Sequence, residues 1–126
     1  MNLKSLTLDF QGCNKITNQG ISKLSSERLQ SLSELSSLSL NFSSCYLITN
    51  KGIEALSHEL GNLKKLTSLS LNFNQCDQIE DDGLNQLCIG SIQHLHELEC
   101  LNLSFGGLSK ITDKILEALH FYGLKS

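Results

Sequence analysis

Cys88, His94, His96 and Cys100 place two thiols and two imidazoles within one short span. These are ligand types that a zinc ion takes in tetrahedral sets of four. Their spacing, Cys-x5-His-x-His-x3-Cys, fits no standard zinc pattern. His94 and His96 flank Leu95 on the polar side of a helix end, whereas Cys100 belongs to the exposed face of a strand, so the side chains point in different directions. Asp77, Glu80, Asp81 and Asp82 form an acidic group. A calcium loop needs alternating oxygen ligands and a distal carboxylate, and this segment lacks both. Carboxylates just ahead of a helix are favoured by its dipole and need no ion to explain them. No metal and no other cofactor is expected.

Nor is a catalytic constellation legible. Serines are abundant, yet none stands in a Gly-x-Ser-x-Gly turn, and no glycine-rich phosphate loop occurs. His58, His94, His96 and His120 are scattered over helical segments. Asn41-Phe42-Ser43 and Asn102-Leu103-Ser104 match the N-glycosylation pattern, but both fall inside strands, where access is poor. The reading is of a chain that is not an enzyme.

Composition narrows the partners. With 10 basic and 13 acidic residues among 126, the net charge of −3 gives no electrostatic case for nucleic acid. No apolar run approaches the ~20 residues needed to span a bilayer. Met1-Asn2-Leu3-Lys4-Ser5-Leu6 has no apolar signal core, which predicts an intracellular, cytoplasmic protein. Of the 5 cysteines, Cys13, Cys45 and Cys76 share one repeated position. Such placement reflects packing more readily than a disulfide framework, so free thiols in a reducing compartment are expected.

What positions all of these residues is a unit that occurs four times. Leu6-Thr7-Leu8-Asp9-Phe10 recurs as Leu38-Ser39-Leu40-Asn41-Phe42, Leu69-Ser70-Leu71-Asn72-Phe73 and Leu101-Asn102-Leu103-Ser104-Phe105, at steps of 32, 31 and 32 residues. A fixed period of this size is the mark of a solenoid. Apolar residues at alternate positions predict strands buried on one face. Ile16-Thr17-Asn18-Gln19-Gly20, Ile48-Thr49-Asn50-Lys51-Gly52 and Ile79-Glu80-Asp81-Asp82-Gly83 follow the strands, while Ile111-Thr112-Asp113-Lys114-Ile115 loses the glycine. The isoleucines should plug the corner of the core. Thr17/Asn18, Thr49/Asn50, Asp81 and Thr112/Asp113 should cap helices, and the glycines should let neighbouring repeats approach closely.

Helical periodicity then runs through Ile21, Leu24, Leu29 and Leu32, through Ile53, Leu56, Leu60 and Leu63, and through Leu84, Leu87, Ile92 and Leu95. Leu116, Leu119 and Tyr122 offer a fourth helix. From the first helical apolar residue to the leucine before the next strand is 14, 13 and 14 residues, so the second unit lacks one residue in its helix or descending loop. Strands separated by helices run parallel, yet a one-sided alternation leaves one sheet face open; a curved solenoid with helices outside satisfies both. The expected arrangement is a single domain over 1–126, with repeats at about 3–34, 35–65, 66–97 and 98–126.

The pattern Leu-x-Leu-x-Phe-x-x-Cys-x-x-Ile-Thr-x-x-Gly-Ile resembles the leucine-rich repeat family over essentially the whole chain. It is similar to the cysteine-containing subtype, with a period closer to the ribonuclease-inhibitor-like repeats. The fourth repeat departs from it, with Leu108 for the cysteine and Ile115 for the glycine. The resemblance implies a right-handed, curved α/β solenoid of four strand–turn–helix repeats with a parallel sheet on the concave face. It also implies that Cys13, Cys45 and Cys76 form an internal ladder, their thiols bonding carbonyls left free by the bend.

The function so implied is a protein–protein interaction module or a structural subunit of a larger assembly. The alternatives are a regulatory segment of a larger signalling enzyme or GTPase-activating protein, or the substrate-recognition part of a ubiquitin ligase, for which no F-box-like segment is present. The candidate partner-binding residues are those facing away from the core: Thr7, Asp9, Ser39, Asn41, Ser70, Asn72, Asn102 and Ser104. This face is small, polar and nearly uncharged. A second candidate is the ends of the stack, where solenoids need polar caps. Leu3, Leu6 and Leu8 would form one end wall, and Phe121 and Tyr122 lie at the other. Self-association through uncapped ends is expected alongside protein partners, with no role for membrane.

Overall fold

Leucine or phenylalanine at every second position gives each unit a strand that can bury one face only. The computed structural model describes residues 2–115, and there these segments are β1 (Ser5–Asp9), β2 (Ser37–Asn41), β3 (Ser68–Asn72) and β4 (Cys100–Ser104). They form one parallel sheet in the order β1-β2-β3-β4. The register is one repeat long: Leu6 pairs with Leu38, Leu38 with Leu69 and Leu69 with Leu101. Helices α1 (Asn18–Lys23), α2 (Asn50–Leu60) and α3 (Asp81–Gly90) follow the first three strands, and 113–115 are helical after the fourth. Their apolar residues join the inward leucines in one core, and the other face of the sheet stays open. The architecture is the expected α/β solenoid. Leu116, Leu119, Phe121 and Tyr122 lie outside the described residues.

The corner after each strand is the tightest part of the unit. Phe42 and Phe73 are fully buried there, and Phe10, Phe42 and Phe73 stack with ring centroids 5.4 and 5.7 Å apart. Each sealed ring contributes about 1.5–3 kcal/mol by burial alone. Two residues on, all four units adopt left-handed backbone: Gly12 at φ 74°, Ser44 at 61°, Gln75 at 67° and Gly107 at 77°. Glycine takes that conformation without strain, whereas it costs an ordinary residue about 1–2 kcal/mol. Ser44 and Gln75 hold it because the amides around the bend are already paired with the next repeat, as in Ser44 N to Asn74 O at 2.7 Å. Ile48 and Ile79 close the corner, fully buried as expected, while Ile16 and Ile111 in the outer repeats are half-buried.

The helical side differs from the expectation. The apolar spacing predicts three similar helices, but α2 and α3 run for 11 and 10 residues while α1 covers only 6. The helix of the first repeat stops at Lys23, passes through a π-helical turn at Leu24–Arg28 and ends in a 3₁₀ turn at Leu29–Ser31. In the third repeat α3 ends at Gly90, Ser91 turns away at φ −137°, and a 3₁₀ turn follows at Ile92–His94. These are the two longer repeats. A π turn holds one more residue than an α turn, so the first repeat absorbs its extra residue there. The third absorbs it at Ser91. The buried hydroxyls of Ser25 and Ser91 bond the carbonyls of Ile21 and Leu87 four residues back, as Ser57 bonds Ile53 in the shorter repeat.

The helix starts also differ in one respect. Thr17, Thr49 and Glu80 are the N-cap positions. Asn18, Asn50 and Asp81 come one residue later and reach into the next repeat. Asn18 Oδ1 accepts from Thr49 N at 3.0 Å while its Nδ2 donates to Thr49 Oγ1 at 2.8 Å. Asn50 makes the same pair of bonds with Glu80, at 2.9 and 3.2 Å. Asp81 Oδ1 accepts from Thr112 N at 2.9 Å, and its other oxygen accepts from the Thr112 hydroxyl. The expected role of glycine is thereby specified: a Cβ on Gly52 would meet Asn18 Oδ1 at 2.5 Å, and one on Gly83 would collide with Asn50 Oδ1. Glycine makes room for the staple in the second and third repeats, whereas the fourth carries Ile115 at that position and still receives the Asp81 staple.

This arrangement predicts a double-mutant result. Gly52→Ala should destabilise the wild-type chain by about 1 kcal/mol, because alanine's helix preference does not offset two displaced hydrogen bonds. In an Asn18→Ala background the same substitution should be neutral or stabilising. Urea denaturation of the four proteins measures the coupling, and additive effects would sink the staple as the reason for the glycine.

Candidate partner-binding face

The open face of the sheet carries the residues expected to bind a partner, and the parallel register lines them up in rows. Thr7, Ser39, Ser70 and Asn102 form one row, and Asp9, Asn41, Asn72 and Ser104 the next. The two rows differ in chemistry. Asp9, Asn41 and Asn72 each turn their side-chain oxygen onto the backbone N–H two residues ahead, Gln11, Ser43 and Asn74, all at 2.9 Å. Those acceptors shape the corner and are committed to it. Ser104 cannot do this, so Asn74 reaches over from the third repeat to accept from Gly106 N at 2.6 Å and from Ser104 Oγ at 3.0 Å. The side chains of Thr7, Ser39, Ser70 and Asn102 form no hydrogen bond among the described residues. Their polar groups are the ones available to another molecule.

The cysteines divide in the same repeat-dependent way. Cys45 Sγ donates to Phe10 O at 3.2 Å and Cys76 Sγ to Phe42 O at 3.0 Å, each reaching back one repeat. Both are fully buried, and burial raises both thiol pKa values, that of Cys76 to about 11. Cys13 is exposed and makes no such bond among the described residues, because no strand precedes β1 there to offer a carbonyl. Leu108 takes the fourth position, buried and without a donor. All five cysteines are free thiols.

The residues weighed for metal binding are kept apart. Cys88 is buried inside α3, where burial raises its pKa to about 11, whereas His94, His96 and Cys100 are exposed. Among the described residues no three His, Cys, Asp or Glu side chains gather as a metal site. Two members of the acidic group, Glu80 and Asp81, are used in the staples described above. On the helical side an open depression of about 480 Å³ lies between Ser22, Lys51, Glu54, His58 and Gln86. No buried side-chain polar atom among the described residues lacks a hydrogen-bond partner.

The end wall is uneven. Leu3, Leu6 and Leu8 are half-buried, in contrast to the sealed leucines of β2 and β3. One surface feature escaped the sequence reading. Tyr46 and Leu47 stand 49 % and 50 % exposed in the turn between β2 and α2. The signal was present in the alignment of the repeats: the equivalent pairs are Asn14-Lys15, Asp77-Gln78 and Ser109-Lys110, all polar.

A family model described as Leucine Rich repeat matches residues 2–25 and 38–57, which cover the first repeat to mid-helix and the second from β2 into α2. No curated protein matches the chain.

Thiol chemistry should follow burial. In the folded protein Cys13 and Cys100 should react quickly with a thiol reagent, while Cys45, Cys76 and Cys88 should react only on unfolding. Cys45→Ala should cost about 1–3 kcal/mol through the lost bond and the small void. The raised thiol pKa values also set a pH limit. Stability from these groups is fully present below the ordinary thiol pKa of about 8.5 and is lost as the pH rises towards about 11. Mass-spectrometric labelling and melting curves across that range check both statements.

Proposed function

The chain is a leucine-rich repeat protein, and from that premise we propose that it is a non-catalytic protein-binding module working in a reducing, cytoplasmic setting. Leucine-rich repeats generally mediate protein–protein interaction. The open sheet face is the surface that this reading assigns to the partner. Its central row offers hydroxyls and an amide from Thr7, Ser39, Ser70 and Asn102 with no internal partner to give up. Asp9, Asn41 and Asn72 support the corner and contribute less, because their acceptors are occupied.

The observation that carries the reading is the exposed pair Tyr46 and Leu47 in the turn that follows β2. Binding energy concentrates in a few large side chains, tyrosine among them, surrounded by polar contacts that exclude water. A row of small polar groups alone makes a weak interface, and an apolar anchor in the turn that follows supplies what the row lacks. The partner this arrangement fits is a protein segment lying along the sheet and ending on an apolar residue over the turn.

The test is affinity capture followed by measurement of binding with the captured protein. Tyr46→Ala with Leu47→Ala should weaken binding at least tenfold, and Ser39→Arg with Ser70→Arg should do the same by obstructing the face. Gln86→Arg on the helical side should leave binding unchanged. A partner that is lost with Gln86→Arg and retained by both sheet-face variants would move the interface to the helices.

A further inference from the structure

The turns between strand and helix are stacked in register. Ahead of the turn, Gly12 N donates to Ser43 O at 2.8 Å and Ser44 N to Asn74 O at 2.7 Å. Beyond it, the Asn18 and Asn50 staples tie the same repeats together. Between these ties each repeat closes the same bend, with Ile16, Ile48 and Ile79 N donating to Cys13, Cys45 and Cys76 O. Equivalent residues of successive turns are therefore neighbours, about 5 Å apart along the stack. Leu47 stands between Lys15 and Gln78, and Tyr46 between Asn14 and Asp77; all six residues are exposed.

Of the large apolar side chains described, only Tyr46, Leu47 and Ile89 are exposed, and the first two adjoin. Charge on the two sides of that pair is opposite. Residues 11–19 carry Lys15 and no acid, whereas 74–82 carry Asp77, Glu80, Asp81 and Asp82 and no base. Glu80 and Asp81 are engaged in the staples. Among the described residues the one ion pair is Lys65 with Glu34, ahead of β3 and β2, so Lys15, Asp77 and Asp82 keep unpaired charges. The carboxylates beside the pair repel anionic lipid and nucleic acid. A protein segment can answer all three features at once, with an apolar side chain on the pair, a base towards the third repeat and an acid towards the first.

We propose that the segment accepted at this turn carries an acidic, a bulky apolar and a basic residue at alternate positions. The apolar residue packs on Tyr46 and Leu47, the basic one faces Asp77, and the acidic one faces Lys15. The spacing fits, because residues two apart in an extended chain stand about 7 Å apart. Long charged side chains close the difference from the pitch of the turns. Segments with the same charge on both flanks meet repulsion on one side, and like-charge juxtaposition is what excludes wrong partners. This selection rests on the reading that Tyr46 and Leu47 anchor the partner; the flanking charges add which partner is accepted.

The probe is a phage-displayed library of random twelve-residue peptides, panned against the full chain at low salt, with the enriched peptides synthesised and titrated. They should share the acidic–x–apolar–x–basic order or its reverse, since a segment can run either way. Tyr46→Ala with Leu47→Ala should weaken their binding at least tenfold. Asp77→Lys should weaken it about fivefold, the size expected for reversing one exposed charge. The same peptide with its basic residue changed to glutamate should lose affinity for the wild type and regain it on Asp77→Lys. Glu54→Lys, which changes the net charge equally on the helical side, should leave binding unchanged, and melting curves check that each variant is folded. Peptides that need Tyr46 and Leu47 but bind Asp77→Lys as they bind the wild type would overturn the proposal and leave the anchor standing. No enriched peptide, or peptides indifferent to Tyr46→Ala with Leu47→Ala, would remove the anchor and the proposal with it. Cosedimentation with phosphatidylcholine–phosphatidylserine vesicles that depends on Tyr46 and Leu47 would overturn it too, by giving the pair to a lipid surface.

Discussion

Each repeat has to turn from strand to helix within a few residues, and the backbone groups on that bend must find partners away from water. An unpaired buried carbonyl or amide costs about 1–3 kcal/mol, so a corner that cannot satisfy itself depends on its neighbour. The repeats solve this by lending donors and acceptors across the interface. Phe10 O takes the Cys13 amide from its own turn and the Cys45 thiol from the next, and Phe42 O is served in the same way by Cys45 and Cys76. The left-handed residue before each cysteine is what aims the carbonyl. The stacked phenylalanines, the buried isoleucines and the glycine gaps all follow from holding that corner against an identical one.

A thiol is well suited to the task. It is small enough to sit in the core and a weak enough donor to tolerate burial, and in the protonated state it needs only one acceptor. Burial in turn keeps it protonated, which is the form the bond requires. The hydroxyl of serine would bond more strongly but would cost more to bury, and an apolar residue such as Leu108 fills the space with no donor. Phe73 O accordingly receives only the Cys76 amide among the described residues. The interface between the third and fourth repeats lacks one of the bonds that the first two share.

Much of this was legible in the amino-acid sequence. Alternation of leucine with polar residues placed all four strands, and the 32, 31, 32 spacing placed their neighbours, because both depend on local periodicity. The staples were less legible. Asn18, Asn50 and Asp81 look like helix caps when a repeat is read alone, and their true partners lie about 31 residues away, visible only once the repeats are docked. The same holds for Asp9, Asn41 and Asn72: a polar residue facing out of a strand looks available until the turn after it is known to take its oxygen. Tyr46 and Leu47 broke a pattern that was fully readable, and comparing the turns position by position would have found them.

The irregular helices have a consequence for how such a chain can vary. Residues are added or lost between the 31- and 32-residue units wholly on the helical side, at the π turn of the first repeat and at Ser91 of the third. The sheet side never changes its count. From Ser5 paired with Ser37 to Asn72 paired with Ser104, every row stays in step. The helices therefore act as a slack line that takes up insertions, and the sheet as a ruler whose graduations keep constant pitch. A partner lying across the strands meets the same spacing from one end to the other, however the repeats differ in length behind it.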